Sequence, residues 1–503
     1  MTDLLWILFA LQIAMGAFDT LYHHELTERL AWRPSQAKEL RLHGARNLIY
    51  GALFLLIAWG EPRGWAALAL LGALAGELVI TLIDFVEEDR TRRLPASERV
   101  THTLLALNYG AIAALLVPTL IGWAAEPTGV VAVEHGLWSL FATVAALGVS
   151  VFGVRDLAAA GRSGRLVPTD AATLGWALPG RQSVLITGAT GFIGRRLTQA
   201  LIGAGHEVTA LVRNPAIADL PPRVRMVTDL AEIPDDARVD AVVNLAGEPI
   251  SDQPWTLAKR RRILRSRLKT TREVIRLIAR LKTRPEVLVS GSAIGFYGLH
   301  GDEPLDEDGA GHPCFSRRLC VAWEKAADPA RALGVRLVIL RTGLVLGSQG
   351  GLLARLLTPF EFGMGGPIGS GRQWMSWITL DDCVGLIVHA LATPSLEGPV
   401  NAAAPRPVTN REFSAALGRA LGRPALLAAP AAPLRWALGA FADELLLGGQ
   451  RVVPMKAVKS GFIFRHATID EALREVTGAR AAPHSGAERR RRGAAPLNRQ
   501  FAS

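Results

Sequence analysis

A chain of 503 residues, 50% of them hydrophobic and with a formal net charge of +11, is too long for one ordinary domain and too apolar to be wholly soluble. Loops flanking membrane helices carry the same basic excess, because Lys and Arg gather on the cytoplasmic side, and this reading takes precedence over nucleic-acid binding. The three cysteines, Cys314, Cys320 and Cys383, all lie in the second half in no metal-ligand spacing, which indicates neither a disulfide framework nor a zinc site and suits a reducing cytosol.

In chain order, residues 4–22, 47–60, 64–84, 103–125 and 136–154 are apolar and predict five membrane helices within the first 155 residues, since a crossing takes about 20 apolar residues in helix. Asp19 interrupts the first stretch and the second is short. The opening segment lacks a basic leader and a small-residue cleavage site, so it reads as a retained helix. Basic residues favour alternate loops. Arg29, Arg33, Lys38, Arg41 and Arg46 follow the first helix, Arg90, Arg92, Arg93 and Arg99 the third, and Arg155, Arg162 and Arg165 the fifth, whereas the other two loops offer only Arg63. That alternation predicts a multi-pass protein of the inner (plasma) membrane, N-terminus outside and everything after residue 155 cytoplasmic.

Polar residues of this half gather at the same helix ends: Asp19, His23, His24 and Glu25, then Arg41 and His43, then Asp84, Glu87 and Glu88, then His102. Glu77 shares a helical face with Asp84 and Glu88. Imidazole and carboxylate together read as a metal or proton site, because intramembrane acids are costly unless used. Helix-end ion pairing with the nearby arginines is the competing reading and takes precedence, so no metal ligands are assigned from the sequence.

A linker over 156–181 precedes SVLITGATGFIGRRLTQALIGAGHEVTALVRNP. SVLIT predicts a buried strand, GATGFIG a glycine turn, RRLTQALIGAG an amphipathic helix and HEVTALVR a second strand. Gly188 allows the tight turn, Gly191 lets backbone approach a pyrophosphate, Gly194 permits close helix packing, and the helix N-terminus offers free amides to the anion. The contacts expected of this turn are Gly188, Thr190, Gly191, Phe192, Ile193 and Gly194. A carboxylate at the end of the second strand would bind a ribose 2′-hydroxyl, but Arg213 stands there, which suits a 2′-phosphate and predicts NADP(H), with NAD(H) as the alternative. Asp229 ends a third strand and offers an acceptor to an adenine amino group. DAVVNLAGEPI predicts a fourth strand, where Leu245, Ala246 and Gly247 pass against the cofactor.

GATGFIG, NLAG, SGSAIGFYG, GSGRQWMSWITLDD and GPVNAAAP, in this order, resemble the extended short-chain dehydrogenase/reductase superfamily, in its NAD(P)-dependent epimerase/dehydratase group. SRLKTTREVI, CVAWEKAA, LRTGLVLG and GGQRVVPMKAVKSGFIFRHATIDEALRE look like an uncharacterised epimerase-like subgroup sometimes labelled cell-division inhibitors. The resemblance covers about 183–478. It implies a doubly wound, Rossmann-like α/β parallel sheet over 182–400 and a small C-terminal substrate portion over 401–480, here preceded by an all-α transmembrane domain and followed by a disordered basic tail, 481–503.

The superfamily also implies a Ser or Thr with a Tyr and a Lys four residues apart, the ammonium lowering the phenol pKa so that it trades a proton with a carbonyl. None of the four tyrosines, Tyr22, Tyr50, Tyr109 and Tyr297, has Lys four residues on. Alignment on the glutamate of WEKAA puts Ser316 near the tyrosine position and Cys320 near the lysine position, so the helix FSRRLCVAWEKAA is expected to pack through Phe315, Leu319, Trp323 and Ala326. Ser292 matches the superfamily hydroxyl, and Ser292 and Tyr297 are the catalytic candidates, with Asp302, Glu303 and His312 as further proton carriers. KRRRILRSRLK, residues 259–269, reads as a solvated face ahead of a lipid-headgroup contact. The expected function is a membrane-anchored NADP(H)-dependent oxidoreductase or epimerase-like enzyme for a small or lipid-associated substrate, with no nucleic-acid partner. Its rivals are a nucleotide sensor without turnover and a membrane redox or metal protein fed by the cofactor domain.

Overall fold

The computed structural model describes residues 2–92, 94–166 and 169–479, and these form two units, Met1–Val167 and Pro168–Ser503. The basic tail expected over 481–503 lies outside the described residues.

The first unit is built from α1 (Asp3–Phe18), α2 (Ala37–Trp59), α3 (Trp65–Thr91), α4 (Ala96–Ala124) and α5 (Leu137–Ser163). Among the described residues five helices are long and apolar enough to cross a membrane; the 27 residues of α3 amount to about 40 Å at 1.5 Å per residue. The second apolar stretch reads short because α2 draws its first turns from the polar run Ala37–Arg46. α1 continues into a π-helical segment, Asp19–Glu28, ended by Arg29 in the left-handed region at φ 52°. Two short strands, β1 (Gly60–Arg63) and β2 (Gly129–Ala132), pair antiparallel at one end. The unit turns apolar side chains outward, among them Leu82, Val86, Leu107, Val144 and Val154, and keeps Asp19, His43, Glu77, Asp84, Glu88 and Glu98 buried. Small residues let two helices meet closely: a Cβ added to Gly51 of α2 would stand 2.1 Å from Ser150 Oγ of α5, and one on Gly153 only 3.1 Å from the Gly44 carbonyl.

The second unit carries β3 (Ser183–Thr187), α6 (Phe192–Gly203), β4 (Glu207–Leu211), β5 (Arg225–Val227), β6 (Ala241–Asn244), α7 (Leu257–Arg280), β7 (Val287–Ala293), α8 (Phe315–Ala327), β8 (Arg336–Thr342), α9 (Leu380–Ala392), β9 (Gly398–Ala402), α10 (Asn410–Leu421), α11 (Ala440–Leu445) and α12 (Ile469–Thr477). Its strands form one parallel sheet of 7 in the order β9-β8-β7-β6-β3-β4-β5. From β3 the chain steps outward to β5, then returns to lay β6 on the other side of β3, and the reversal opens a crevice at the carboxyl ends of β3 and β6. Strands covered on both faces read as unbroken apolar runs, as SVLIT and AVVN do. On one face α6 and α9 bury Leu197, Leu201, Val384 and Ile387; on the other α7 buries Val274, Leu277 and Ile278.

The last part of the chain adds small pairings to earlier segments: Val408–Thr409 lies against Trp374–Met375, and Arg451–Val452 lies parallel to Pro304–Leu305. These pairings join pieces of chain from both sides of β9.

Candidate functional site

At the crevice, Gly188 has φ 74°, a region L side chains avoid, and an added Cβ would stand 2.9 Å from the Ala246 amide. Gly194 packs so tightly on the turn that a Cβ would lie 2.1 Å from the Gly188 carbonyl oxygen. At Gly191 an added Cβ would meet only that same oxygen, at 3.1 Å, so its outer side faces open space. α6 starts without a side-chain cap, leaving its first amides for an anion. Thr190 is exposed, and Phe192 and Ile193 are half-buried in the opening turn of α6. Phe192 lies against the loop of Gly347, Gly350 and Gly351, where added Cβ atoms would come within 2.5–3.5 Å of its ring.

The floor of the crevice is a buried polar row in strand register, Thr187, Asn244 and Ser290. Thr187 Oγ1 donates to Asn244 Oδ1 at 2.7 Å and accepts from the Ala246 amide at 3.2 Å, and the Leu245 amide donates to the Thr187 carbonyl at 3.1 Å. Asn244 Nδ2 donates to Thr271 Oγ1 at 2.9 Å, which also accepts from Trp323 Nε1 at 3.2 Å. This row fixes where Leu245, Ala246 and Gly247 run.

Arg213 is exposed just past β4 and makes no ion pair among the described residues, so its guanidinium is free to meet a phosphate. Asp229 uses Oδ1 to cap a short turn through the Ala231 amide, 2.8 Å away. Its carboxylate is half-committed to the fold.

The basic run 259–269 differs from a solvated face. Lys259, Ile263 and Arg267 are buried along α7, and Lys259 bonds Glu248 at 2.9 Å and Asp252 at 2.7 Å. Arg267 lies beside Gly247, where an added Cβ would stand 2.9 Å from its Cζ. It donates to the carbonyls of Glu248 and Ile263 at 2.9 and 3.1 Å, stacks over Trp323 at 4.9 Å, and leaves Nε without a partner. Burial brings this guanidinium down to about 10, a cation held by carbonyls at the edge of the cofactor crevice.

Beyond the floor, Ser292, Arg341 and Asn401 stand in register across β7, β8 and β9. Ser292 Oγ donates to Glu324 Oε1 at 2.6 Å, and Arg341 grips both oxygens of Glu324 at 3.0 and 3.1 Å. Arg341 also donates to the Tyr297 oxygen at 3.1 Å and to the Glu307 carbonyl at 2.9 Å. Tyr297 itself is fully buried, its hydroxyl donates to Asn401 Oδ1 at 2.7 Å, and burial pushes its pKa up to about 12. The structure therefore gives the two catalytic candidates different places: Ser292 at the strand end, Tyr297 in the packing behind it.

α8 buries Ser316, Leu319, Cys320, Trp323 and Ala327; Ala327 takes the place expected of Ala326. Burial pushes Cys320 up to about 12, so it stays a neutral thiol. Ser316 Oγ donates to Glu444 of α11 at 2.6 Å, and that carboxylate also accepts the amides of Phe315 and Ser316 at 3.1 and 2.8 Å. The further proton carriers hold their own loop: Asp302 accepts from Trp374 at 2.7 Å, Glu303 bonds His300, and His312 donates to the Leu299 carbonyl at 2.8 Å. Thr187, Asn244, Arg267, Glu324, Arg341 and Glu444 are the site residues the sequence reading missed. Five of them lie inside stretches the sequence singles out, Thr187 in SVLIT, Asn244 in NLAG, Arg267 in SRLKTTREVI, Glu324 in CVAWEKAA and Arg341 in LRTGLVLG, and Glu444 lies in none.

A parallel sheet whose glycine turn sits at the switch point defines a dinucleotide-binding, Rossmann-like protein of the extended short-chain dehydrogenase/reductase kind. Residues 184–403 match the NAD dependent epimerase/dehydratase family, and residues 429–476 match a domain of unknown function, DUF1731. An epimerase family protein of Mycobacterium tuberculosis is 41% identical over 305 residues, covering 58% of this chain and 97% of that protein. Epimerase family protein SDR39U1 of Bos taurus is 40% identical over 298 residues, covering 58% of this chain and 99% of its own. The crystal structure of human SDR39U1 with NADPH superimposes with a TM-score of 0.53 at 35% identity, covering 59% of this chain and 99% of that one. The chain belongs to the NAD dependent epimerase/dehydratase family.

Proposed function

We propose that this protein is a membrane-anchored NADP(H)-dependent oxidoreductase or epimerase-like enzyme, its dinucleotide unit facing the cytoplasm, acting on a small or lipid-associated substrate. The observation that carries the cofactor choice is Arg213, an unpaired guanidinium where a 2′-hydroxyl reader would need an acid. The human relative solved with NADPH supports it. Gly188, Gly191 and Gly194 with the first amides of α6 hold the pyrophosphate, and Leu245 to Gly247 line the passage to the ring. The bound nucleotide supplies hydride exchange.

Proton handling falls to this chain. Ser292 spends its own hydrogen on Glu324, so its lone pairs accept a substrate hydroxyl. As that hydroxyl is oxidised, its proton passes to Ser292 Oγ while the serine proton moves to Glu324, and the reverse sequence serves reduction. Arg341 holds Glu324 in place through both carboxylate oxygens. This relay substitutes for the missing Tyr-Lys pair.

Membrane anchorage is supported by the five long apolar helices and by the alternation of basic loops. The test is hydride transfer. Purified protein given stereospecifically deuterated NADPH and cell extract is expected to place label in a metabolite and yield oxidised cofactor; binding without either outcome favours a nucleotide sensor, the reading to which buried Ser316 and Cys320 at the Tyr and Lys positions point.

A further inference from the structure

The N-terminal unit holds a cluster of acids and imidazoles that the dinucleotide chemistry leaves unused. Asp19, Glu39, Asp84, Glu88 and Glu98 are at most 4% exposed. Arg92 answers part of this charge, reaching Glu98 at 2.7 Å, Glu39 at 3.0 Å and Glu88 at 3.4 Å, and Arg46 reaches Asp84 at 3.1 Å. The ion pairing expected of these helix ends is therefore present. It leaves further negative charge to be matched by protonated imidazoles or by a bound cation, because an unmatched buried carboxylate is costly.

Two observations favour the cation. His24 and His43 stack with ring centres 4.6 Å apart and planes 8° from parallel, which holds two imidazoles of the cluster side by side. Nor are all the donor atoms placed as hydrogen-bonded pairs. His24 Nε2 lies 3.4 Å from Asp19 Oδ2 and 3.6 Å from Glu98 Oε1 and bonds neither, and Glu88 Oε2 is buried and equally without a hydrogen bond. Ligands about 2.1 Å from one ion stand roughly 3.0–3.4 Å apart along the edges of its coordination shell, which is close to this spacing.

We propose that Asp19, His24, Glu98 and His102 form a binding site for a first-row divalent transition-metal ion. Their ligand atoms all lie within 4.8 Å of one another, and His24, His43 and Glu88 form a second such group sharing His24. Mixed imidazole and carboxylate donors suit iron, manganese or zinc. His23 Nδ1 holds Asp19 Oδ1 at 2.8 Å, which turns Oδ2 toward His24 and His102, the latter 3.2 Å away. The winding of Asp19–Glu28 explains how one helix supplies both Asp19 and His24. Five residues apart in an α-helix they would point about 140° from each other, whereas i→i+5 turns stack them on one face. Asp19 and His102 also line a cavity of about 360 Å³ walled by Phe54, Leu78, Phe85 and other apolar side chains, so the site is reachable by a lipophilic molecule.

The test uses the full chain purified in detergent and loaded with Co(II), with Zn(II) and Mn(II) in parallel, and needs no variant for its first readout. Stoichiometric metal by mass spectrometry, with visible Co(II) bands showing nitrogen ligation, is expected. Asp19→Asn and His24→Ala should each weaken binding by at least the roughly 10–100-fold that loss of a supporting group around a metal costs, while His135→Ala, a histidine outside the cluster, and NADPH binding stay unchanged. Absence of stoichiometric metal and of the Co(II) bands in the unaltered protein overturns the proposal, as does metal that persists in both variants. Neither result bears on the dinucleotide site, which its own titration reports.

Discussion

Glu324 is the residue on which the proposed chemistry turns, since it alone joins the Ser292 hydroxyl to a fixed cation. Glu324→Gln keeps the shape but cannot take the proton, so turnover is expected to fall by about 100-fold or more with NADPH affinity unchanged. Steady-state kinetics beside calorimetry measures this, and equal loss of both would instead mark a folding defect from the unpaired Arg341. Arg213→Ala removes a charge-assisted contact worth about 1.5–3 kcal/mol, so NADPH should bind roughly 10–100-fold more weakly while NADH is unaffected; equal weakening of the two would refute the 2′-phosphate assignment. His466 gives a pH signature. Burial opposes its charge, but the Asp382 carboxylate 3.7 Å from the ring and the bond to Glu475, 2.7 Å away, outweigh this and raise it from 6.5 to about 9. A folded-state pKa above the unfolded one contributes stability that is complete below about 6.5 and is lost as pH rises through about 9. Thermal melts of the dinucleotide unit should fall across that window in the unaltered protein and flatten in His466→Phe.

At the scale of elements, glycine placement matters most. Gly51 has no space for a side chain where α2 meets α5, so Gly51→Leu should drive the helices apart and destabilise the first unit by about 1–3 kcal/mol or more, the cost of overpacking. A lower melting temperature of that unit with NADPH binding intact is the expected readout. α8 shows how far a pattern can be read. Leu319 and Trp323 were legible as its inner stripe from spacing alone, yet Ser316 and Cys320 also turn inward, because the Gly295 loop and α11 pack there. α7 shows the opposite limit: the charges of KRRRILRSRLK suggest a solvated face, while Lys259 and Arg267 are buried against Glu248, Asp252 and backbone carbonyls.

For the whole molecule, the prediction is topological. Protease protection and cysteine labelling in sealed inner-membrane vesicles should find the loop between α1 and α2 and the entire dinucleotide unit on the cytoplasmic side, with the β1 and β2 ends outside. Labelling of Thr128→Cys from the cytoplasmic side would reverse the orientation and remove cytoplasmic NADPH as the cofactor source.

What the sequence determined by itself was whatever local periodicity encodes: five apolar helices, the strand–turn–helix around Gly188, and the absence of a tyrosine with lysine four residues on. Each is a property of neighbouring residues and survives without knowledge of the fold. The tertiary structure alone decided which distant groups meet. Ser292, Glu324 and Arg341 come from a strand, a helix and another strand, Glu444 reaches α8 from over a hundred residues away, and Asp19, Glu98 and His102 share a cluster only because α4 packs beside the π-helical continuation of α1. No spacing in the chain records such encounters, because they are set by strand register and helix packing, where a change of one turn would separate them.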